Sequence, residues 1–249
     1  HLAKKRFDVF IKENKNKKMP FYEKDCDKLL EKNYNKLYFT SDYSMISDVK
    51  ILFVCVGTPL NSDNYLDVSE IMNAIKAVKK HVKYDKLVTI CIRSTVLPGT
   101  CDLISEETNF SVVHNPEFLS QGTAIDDFIY AKRIVLGSND EKAIKRIQDL
   151  YKEVMKYYNS EIPIVTMNVK EAEMVKFVAN SYLAMRISFI NEMSNLCKTI
   201  GVNISNVIDG VKYDERIGEK YFKSGIGYGG SCLPKDTHAI LKFSESKNS

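Results

Sequence analysis

Glycine is scarce in this sequence, at 11 of 249 residues, and the turn one would look for first is missing. A GxGxxG segment between an opening strand and a helix holds a dinucleotide's pyrophosphate on the helix N-terminus. No such segment occurs, and the chain starts with "HLAKKRFDVF", which reads as already in or just before a helix. No run of about 18 apolar residues exists, which argues against a membrane span. No signal-like segment precedes the first element, so no export is expected. The six cysteines contain no CxxC pair and do not form a disulfide framework. Cys55 and Cys91 lie in apolar strand-like runs and Cys197 in a helical pattern, where each fits as a small reduced hydrophobe. Cys232 with His238 is too little for a zinc site, so no metal is expected. Reduced thiols imply a reducing, cytoplasmic setting. The net charge of +4 gives no electrostatic case for nucleic acid, and the lysine-rich residues 12–18 read as a solvated helix end and loop.

What is present is an alternation of strands and helices. Four apolar, β-branched runs stand out, "ILFVCV" (51–56), "LVTICI" (87–92), "FSVVH" (110–114) and "RIVLGS" (133–138), with a fifth at 162–167, "IPIVTM". Helical spacing fills 67–82 and 140–156. Continuous apolar strands alternating with amphipathic helices predict an α/β fold with a parallel sheet covered on both faces. Polar punctuation follows the first three runs, and in open α/β sheets ligands bind at the carboxyl ends of strands. After residue 167 the pattern changes to one long helix over 170–200, a shorter one over roughly 203–212, and a glycine loop. The expected organisation is residues 1–167 as an incomplete Rossmann-like domain and 168–249 as a helical domain. The long helix suits a domain connection or a dimer interface.

The glycine loop concentrates what the rest of the chain lacks. "GIGYGGSCLPKDT" (225–237) carries Gly225, Gly227, Gly229 and Gly230 directly ahead of Cys232. Such a loop can approach a ligand with its bare backbone. Pro234 suits the first turn of a helix, which places Cys232 at that helix's N-terminus. A helix dipole and the neighbouring Lys235 both favour a thiolate there. Taken alone, the loop is equally a turn with a buried cysteine.

Seven segments decide between these readings: "VCVGTPL", "STVLPGT", "NPEFLSQGTAIDDF", "RIVLGS", "EMVKFVANSYLAMRISFINE", "DERIG" and "GIGYGGSCLPKD". In this order and at these spacings, from about residue 51 to 240, they resemble the UDP-glucose/GDP-mannose dehydrogenase family. The resemblance implies oxidation of a nucleotide sugar at C6 to the carboxylate with two NAD+, with UDP-glucose as the substrate oxidised. It also implies a covalent route in which a thiol traps the intermediate aldehyde and passes through a thioester.

By the same resemblance Cys232 is the nucleophile. Lys176 and Asn180, spaced i,i+4 on one helix face, suit a developing oxyanion. Asp236 is the carboxylate beside the cysteine, and Thr95 and Glu117 order water and move protons. Gly57, Thr58, Thr95 and Lys235 are implied to contact NAD. The sugar nucleotide is implied to lie against Glu117, Phe118, Leu119, Gln121, Lys176 and Asn180. The segment Tyr221, Phe222, Lys223, Ser224 and Gly225 lines its pocket with Gly229, and Arg216 crosses to a second subunit, implying a homodimer.

The match departs from the family at several points. Where a second glutamate is usual four residues after Glu117, this chain has Gln121, whose amide cannot take up a proton at neutral pH. "MPFYEKDCDKLL" lacks the Pro-Gly-Leu that usually follows Tyr-Glu. With the phosphate-binding first unit and a C-terminal nucleotide-binding domain both missing, the resemblance implies that catalysis belongs to a longer protein. GDP-mannose remains the alternative substrate, because "CLPKD" also occurs in GDP-mannose enzymes. A non-catalytic relative kept for binding or assembly is the alternative of another class. A cysteine hydrolase lacks a histidine partner placed by any motif.

Overall fold

A computed structural model describes residues 22–37, 39–40, 42–82 and 88–248. The expected opening helix and the lysine-rich residues 12–18 lie outside these. The chain divides into two compact units, one ending at Thr58 and resuming over Asp67–Met174, the other made of Pro59–Leu66 and Val175–Ser249.

After helix α1 (Cys26–Asn33), the first unit is built on five strands in the spatial order β1 (Ile51–Val54), β2 (Thr89–Ile92), β3 (Ser111–His114), β4 (Ile134–Gly137) and β5 (Ile164–Met167). Each lies within an apolar run of the sequence. Strands β1, β2 and β3 are parallel and in step, with Ile51 opposite Thr89, Thr89 opposite Ser111, and Ile92 opposite His114. Every residue of β2 and β4 is buried, as strands covered on both faces require.

Alternate side chains divide between two cores. Ile90, Ile92 and Val112 pack with Ile71, Ile75 and Val78 of helix α2 (Ser69–His81) and Ile104 of α3 (Thr100–Thr108). Cys91, Val113 and Leu136 face the other way, against Ala143, Ile147 and Tyr151 of α5 (Glu141–Tyr158). The i,i+4 spacing of those last three residues is the stripe that makes α5 amphipathic. Burying each such isoleucine removes about 1.5–3 kcal/mol of apolar exposure. Asp140 starts α5 by accepting from the amides of Lys142 and Ala143 at 2.8 and 3.2 Å. Asn159, with φ 50°, ends it.

Two local expectations need correction. The sheet is not parallel throughout, since β3 and β4 are antiparallel, with His114 opposite Gly137, before β4 and β5 run parallel again. The link from β3 to β4 explains the reversal. Its one helix, α4 (Ala124–Ile129), is six residues long and spans about 9 Å. The chain therefore turns near the end where β3 finished and re-enters in the opposite sense. Cys55 is not a core residue either; β1 ends at Val54 and Cys55 is exposed.

Gly137 closes the packing between β4 and the first turn of the long helix α6 (Val169–Thr199). A Cβ there would come within 2.3 Å of Ala172 Cβ and 2.9 Å of the Asn168 carbonyl oxygen. Neither neighbour is a flexible side-chain end. Gly137→Ala is therefore expected to cost roughly 1–3 kcal/mol, and thermal unfolding by circular dichroism should show a drop of several degrees.

The second unit contains most of α6, then α7 (Ile204–Val211) and α8 (Leu233–Ser246). Gly201 ends α6 with φ 71°. The Val202 amide donates back to the Cys197 carbonyl at 2.8 Å, a left-handed helix stop of the kind glycine permits.

Candidate active site

In the first unit the parallel register brings the ends of β1, β2 and β3 to one edge of the sheet, side by side. Gly57 and Thr58 follow β1, Thr95 follows β2, and Glu117, Phe118, Leu119 and Gln121 follow β3. Thr58 is buried, Thr95, Glu117 and Phe118 are half-buried, and Gly57, Leu119 and Gln121 are exposed. The tips are tied to one another. Ser94 Oγ donates to the Val56 carbonyl at 2.6 Å, and the Asn115 amide donates to the Ile92 carbonyl at 2.9 Å. Glu117 accepts from the Leu119 amide at 2.8 Å, and the Arg133 guanidinium lies 4.1 Å from the centre of the Phe118 ring.

Sequence reasoning missed the polar framework beneath these tips. Arg93 Nη1 donates to Asn115 Oδ1 and to Tyr151 Oη, both at 2.7 Å, and Tyr151 Oη donates to Asn115 Oδ1 at 2.6 Å. Asn115 Nδ2 donates to the Val135 carbonyl at 2.8 Å, so one network joins β3, β4, α5 and the residue after β2. Burial pushes the Tyr151 hydroxyl above its usual value, which keeps it a donor.

Glu173 was missed as well. Fully buried on the first turns of α6, it accepts from the amides of Gly99 at 2.6 Å and Cys101 at 2.8 Å. Gly99, at φ 100°, precedes α3, so the carboxylate satisfies amides that a helix start leaves without intrahelical partners. Burial raises the Glu173 pKa above the usual carboxylate value, against two amides that favour its charged form. The stretch from Thr95 to Cys101 is thereby pinned at its far end.

In the second unit Cys232 is the N-cap of α8, with Pro234 in the first turn, as the sequence predicts. The residue is exposed, and its Sγ lies 3.6 Å from Ser231 Oγ. One turn on, Asp236 is fully buried. Its Oδ2 accepts from Asn180 Nδ2 and its Oδ1 from Lys235 Nζ, each at 2.5 Å. Lys176 and Asn180 are both buried on α6. Lys235, which the resemblance assigns to NAD, has its ammonium on Asp236.

The lead-in to the loop is also held by α6. Phe222 is buried, with its ring centre 6.3 Å from that of Phe189, and Arg186 lies 5.1 Å from its centre. Tyr221 adopts φ 58°, an uncommon left-handed conformation for an aromatic residue. The Gly225 amide donates to Asn191 Oδ1 at 2.8 Å. Lys223 and Gly229 are exposed and Ser224 is half-buried. Arg216, also exposed, forms a two-pronged pair with Asp214, Nε to Oδ1 at 2.9 Å and Nη2 to Oδ2 at 2.6 Å.

A sheet covered on both faces, with polar residues at its carboxyl edge, is the architecture of dinucleotide-binding proteins. The chain matches the UDP-glucose/GDP-mannose dehydrogenase family in two places, its NAD binding domain over residues 8–155 and its central domain over 170–249. It belongs to that family.

Among curated relatives, UDP-glucose 6-dehydrogenase YwqF of Bacillus subtilis is 40% identical over 235 residues, covering 90% of this chain and 52% of the relative. UDP-glucose 6-dehydrogenase of Rickettsia typhi is 36% identical over 247 residues, covering 96% and 56%. The solved UDP-glucose dehydrogenase of Pyrobaculum islandicum superposes with a TM-score of 0.90 at 34% identity, covering 97% of this chain and 57% of that one. The chain thus spans about half the length of the curated relatives it matches.

For a dinucleotide, Thr58 and Thr95 offer hydroxyls on adjacent strand tips, and a Cβ at Gly57 would meet no described atom within 4 Å, so these residues would be compatible with holding one. The GxGxxG pattern at 225–230 lies in the cysteine loop and, among the described residues, follows a helix and not a strand.

Burial separates the thiols. It drives the Cys91 thiol up to about 12 and holds Cys101 well above its usual value; Cys55 and Cys232 are exposed, although the surroundings of Cys55 also raise its thiol, so its label should build more slowly than that of Cys232. Brief iodoacetamide treatment of the native protein at pH 7.5, followed by peptide mass spectrometry, should therefore find label on Cys55 and Cys232. Cys91 and Cys101 should label only after unfolding.

Proposed function

We propose that the intact protein oxidises the C6 alcohol of a UDP-sugar, UDP-glucose above all, to the carboxylate through a covalent intermediate on Cys232. The observation that carries this reading is the Asp236 carboxylate. One helical turn from Cys232, it holds Asn180 on one oxygen and Lys235 on the other. Asn180 is thereby fixed with its amide nitrogen toward Asp236, leaving a second N–H and its carbonyl for a ligand. Membership of the family supports the reaction class, and the chain's likeness to UDP-glucose 6-dehydrogenases supports the sugar.

Held against Gly57, Thr58 and Thr95, NAD+ would supply the hydride acceptor for two oxidations, each of which also releases the hydroxyl proton to water. The first turns the C6 alcohol into an aldehyde. Cys232 Sγ then adds to the aldehyde carbon, forming a C–S bond, while Lys176 and Asn180 stabilise the oxygen that gains the electron pair. Departure of the second hydride converts this thiohemiacetal to a thioester. Water ordered by Thr95 and Glu117 attacks the thioester carbon, the C–S bond breaks, and the acid leaves with the thiol regenerated. Gln121 holds substrate or water by hydrogen bonding and takes no proton in this scheme. Gly229 supports the same reading. Its φ is not left-handed and a Cβ there would touch nothing in the chain, so neither backbone conformation nor packing calls for glycine. A sugar lying against the loop does.

Cys232→Ser in the intact protein is expected to abolish acid formation, a loss of several orders of magnitude in rate, or more than about 4 kcal/mol of barrier. The sugar should still bind. The wild type should form two NADH per sugar, whereas the serine variant should stop at or before the first. Near-normal NADH production by the variant, followed at 340 nm, would remove Cys232 from the mechanism.

The intact protein also forms a homodimer on this reading. Val178, Tyr182, Met185, Phe189 and Leu196 follow one another at helical spacing on α6, and each leaves half or more of its surface exposed. Light scattering at micromolar concentration should give twice the protomer mass, and Met185→Lys with Phe189→Lys should give the single mass. Six free cysteines suit a reducing cytoplasm. Among the described residues no helix is long and apolar enough to cross a membrane.

A further inference from the structure

We propose that Glu23 is a positioning residue for the nucleotide-sugar loop that follows β3. This assignment rests on the functional reading above, which places Glu117, Phe118, Leu119 and Gln121 against the substrate. Glu23 lies 99 residues from the nearer of its two partners and is 7% exposed. Its Oε2 accepts from the Gly122 amide and its Oε1 from the Ala124 amide, both at 2.9 Å. Gly122 adopts φ 92° and Ala124 opens α4. Next to it, Lys24 Nζ pairs with Asp126 Oδ2 at 2.8 Å, a second link from the same short segment to the same loop.

The construction repeats the one made by Glu173. In each case a buried carboxylate spans the amide of a left-handed glycine and the amide two residues later, at the start of a helix that follows a strand tip. A left-handed residue turns successive amides towards one point, and a carboxylate there is the complementary acceptor. The loop has internal carboxylate bonds as well, with Ser120 N donating to Asp127 Oδ2 at 2.8 Å and Leu119 N to Glu117 Oε2 at 2.8 Å. Those bonds shape the loop, whereas Glu23 and Lys24 fix its place against another segment. Glutamine at position 23 is the same size but keeps one acceptor oxygen and turns an NH2 group towards the second amide, so one of the two bonds is lost.

The test compares wild type and Glu23→Gln of the intact protein by amide hydrogen exchange and by steady-state kinetics. Exchange is read over residues 115–130, which needs no assumption about function. The expected result is faster exchange confined to that stretch in the variant. With it should come a drop in kcat/KM for UDP-glucose of about tenfold or more, from a loop displaced by an ångström or so. The KM for NAD should stay within about twofold, because Gly57, Thr58 and Thr95 lie on other tips. Unchanged exchange, or a rise spread evenly over the chain, overturns the assignment. So does a local rise that leaves the UDP-glucose kinetics unaltered. If Glu23→Gln does not fold, Glu23→Asp, one methylene too short to reach both amides, is read in the same way. A wild type that oxidises no nucleotide sugar refutes the functional reading. The exchange result then decides alone whether Glu23 holds the loop.

Discussion

The in-step parallel pairing of β1, β2 and β3 is the constraint on which the first unit depends. Once Ile51, Thr89 and Ser111 start level, the three strands finish level, and whatever follows each must share one edge of the sheet. The sequence exploits this by placing Gly57–Thr58, Thr95 and Glu117 just beyond the ends. The same pairing alternates the side chains between two cores, so β2 and β3 are packed by helices on both faces, while β1, at the sheet edge, leaves Phe53 exposed. Shifting one strand by a residue would exchange its two faces and remove its tip from the row.

The second unit solves a different problem. On the proposed reading its thiol has to be accessible while the groups around it stay rigid. Cys232 and the glycines stand exposed, while Asp236, Asn180 and Lys176 are buried beneath them. The helix start bridges the two conditions, because the last loop residue and the first turn of α8 are joined by the Asp236 amide's bond to the Cys232 carbonyl at 2.9 Å. Asn191 and Phe222 anchor the lead-in to the loop, and the glycines beyond it stand exposed.

Much of this was legible in the sequence because it is local. Apolar runs mark all five strands to within a few residues, and Gly201 and Pro234 punctuate the long helix and the start of α8. Motif order alone places the candidate residues on strand tips, on one helix face and at a helix N-terminus. The rest depends on partners distant in sequence. The antiparallel turn into β4 follows from the short span of α4, which no apolar periodicity reveals. Cys55 reads as core because its run is apolar, although the strand ends one residue earlier. Glu23 and Glu173 look like ordinary charged residues, since nothing near them in sequence shows that their acceptors would meet buried amides.

The two carboxylate staples have a consequence for inheritance. Gly99 with Glu173, and Gly122 with Glu23, are pairs separated by 74 and 99 residues, each joined by one backbone bond. Replacing the glycine disfavours the left-handed turn that aims the amides, and without that turn the buried glutamate faces no donors. Replacing the glutamate leaves the glycine's amide unanswered. Neither half of a pair is useful without the other, so each glycine and its glutamate should be kept or lost together as the family diverges, although the glycine brings no side chain to the contact.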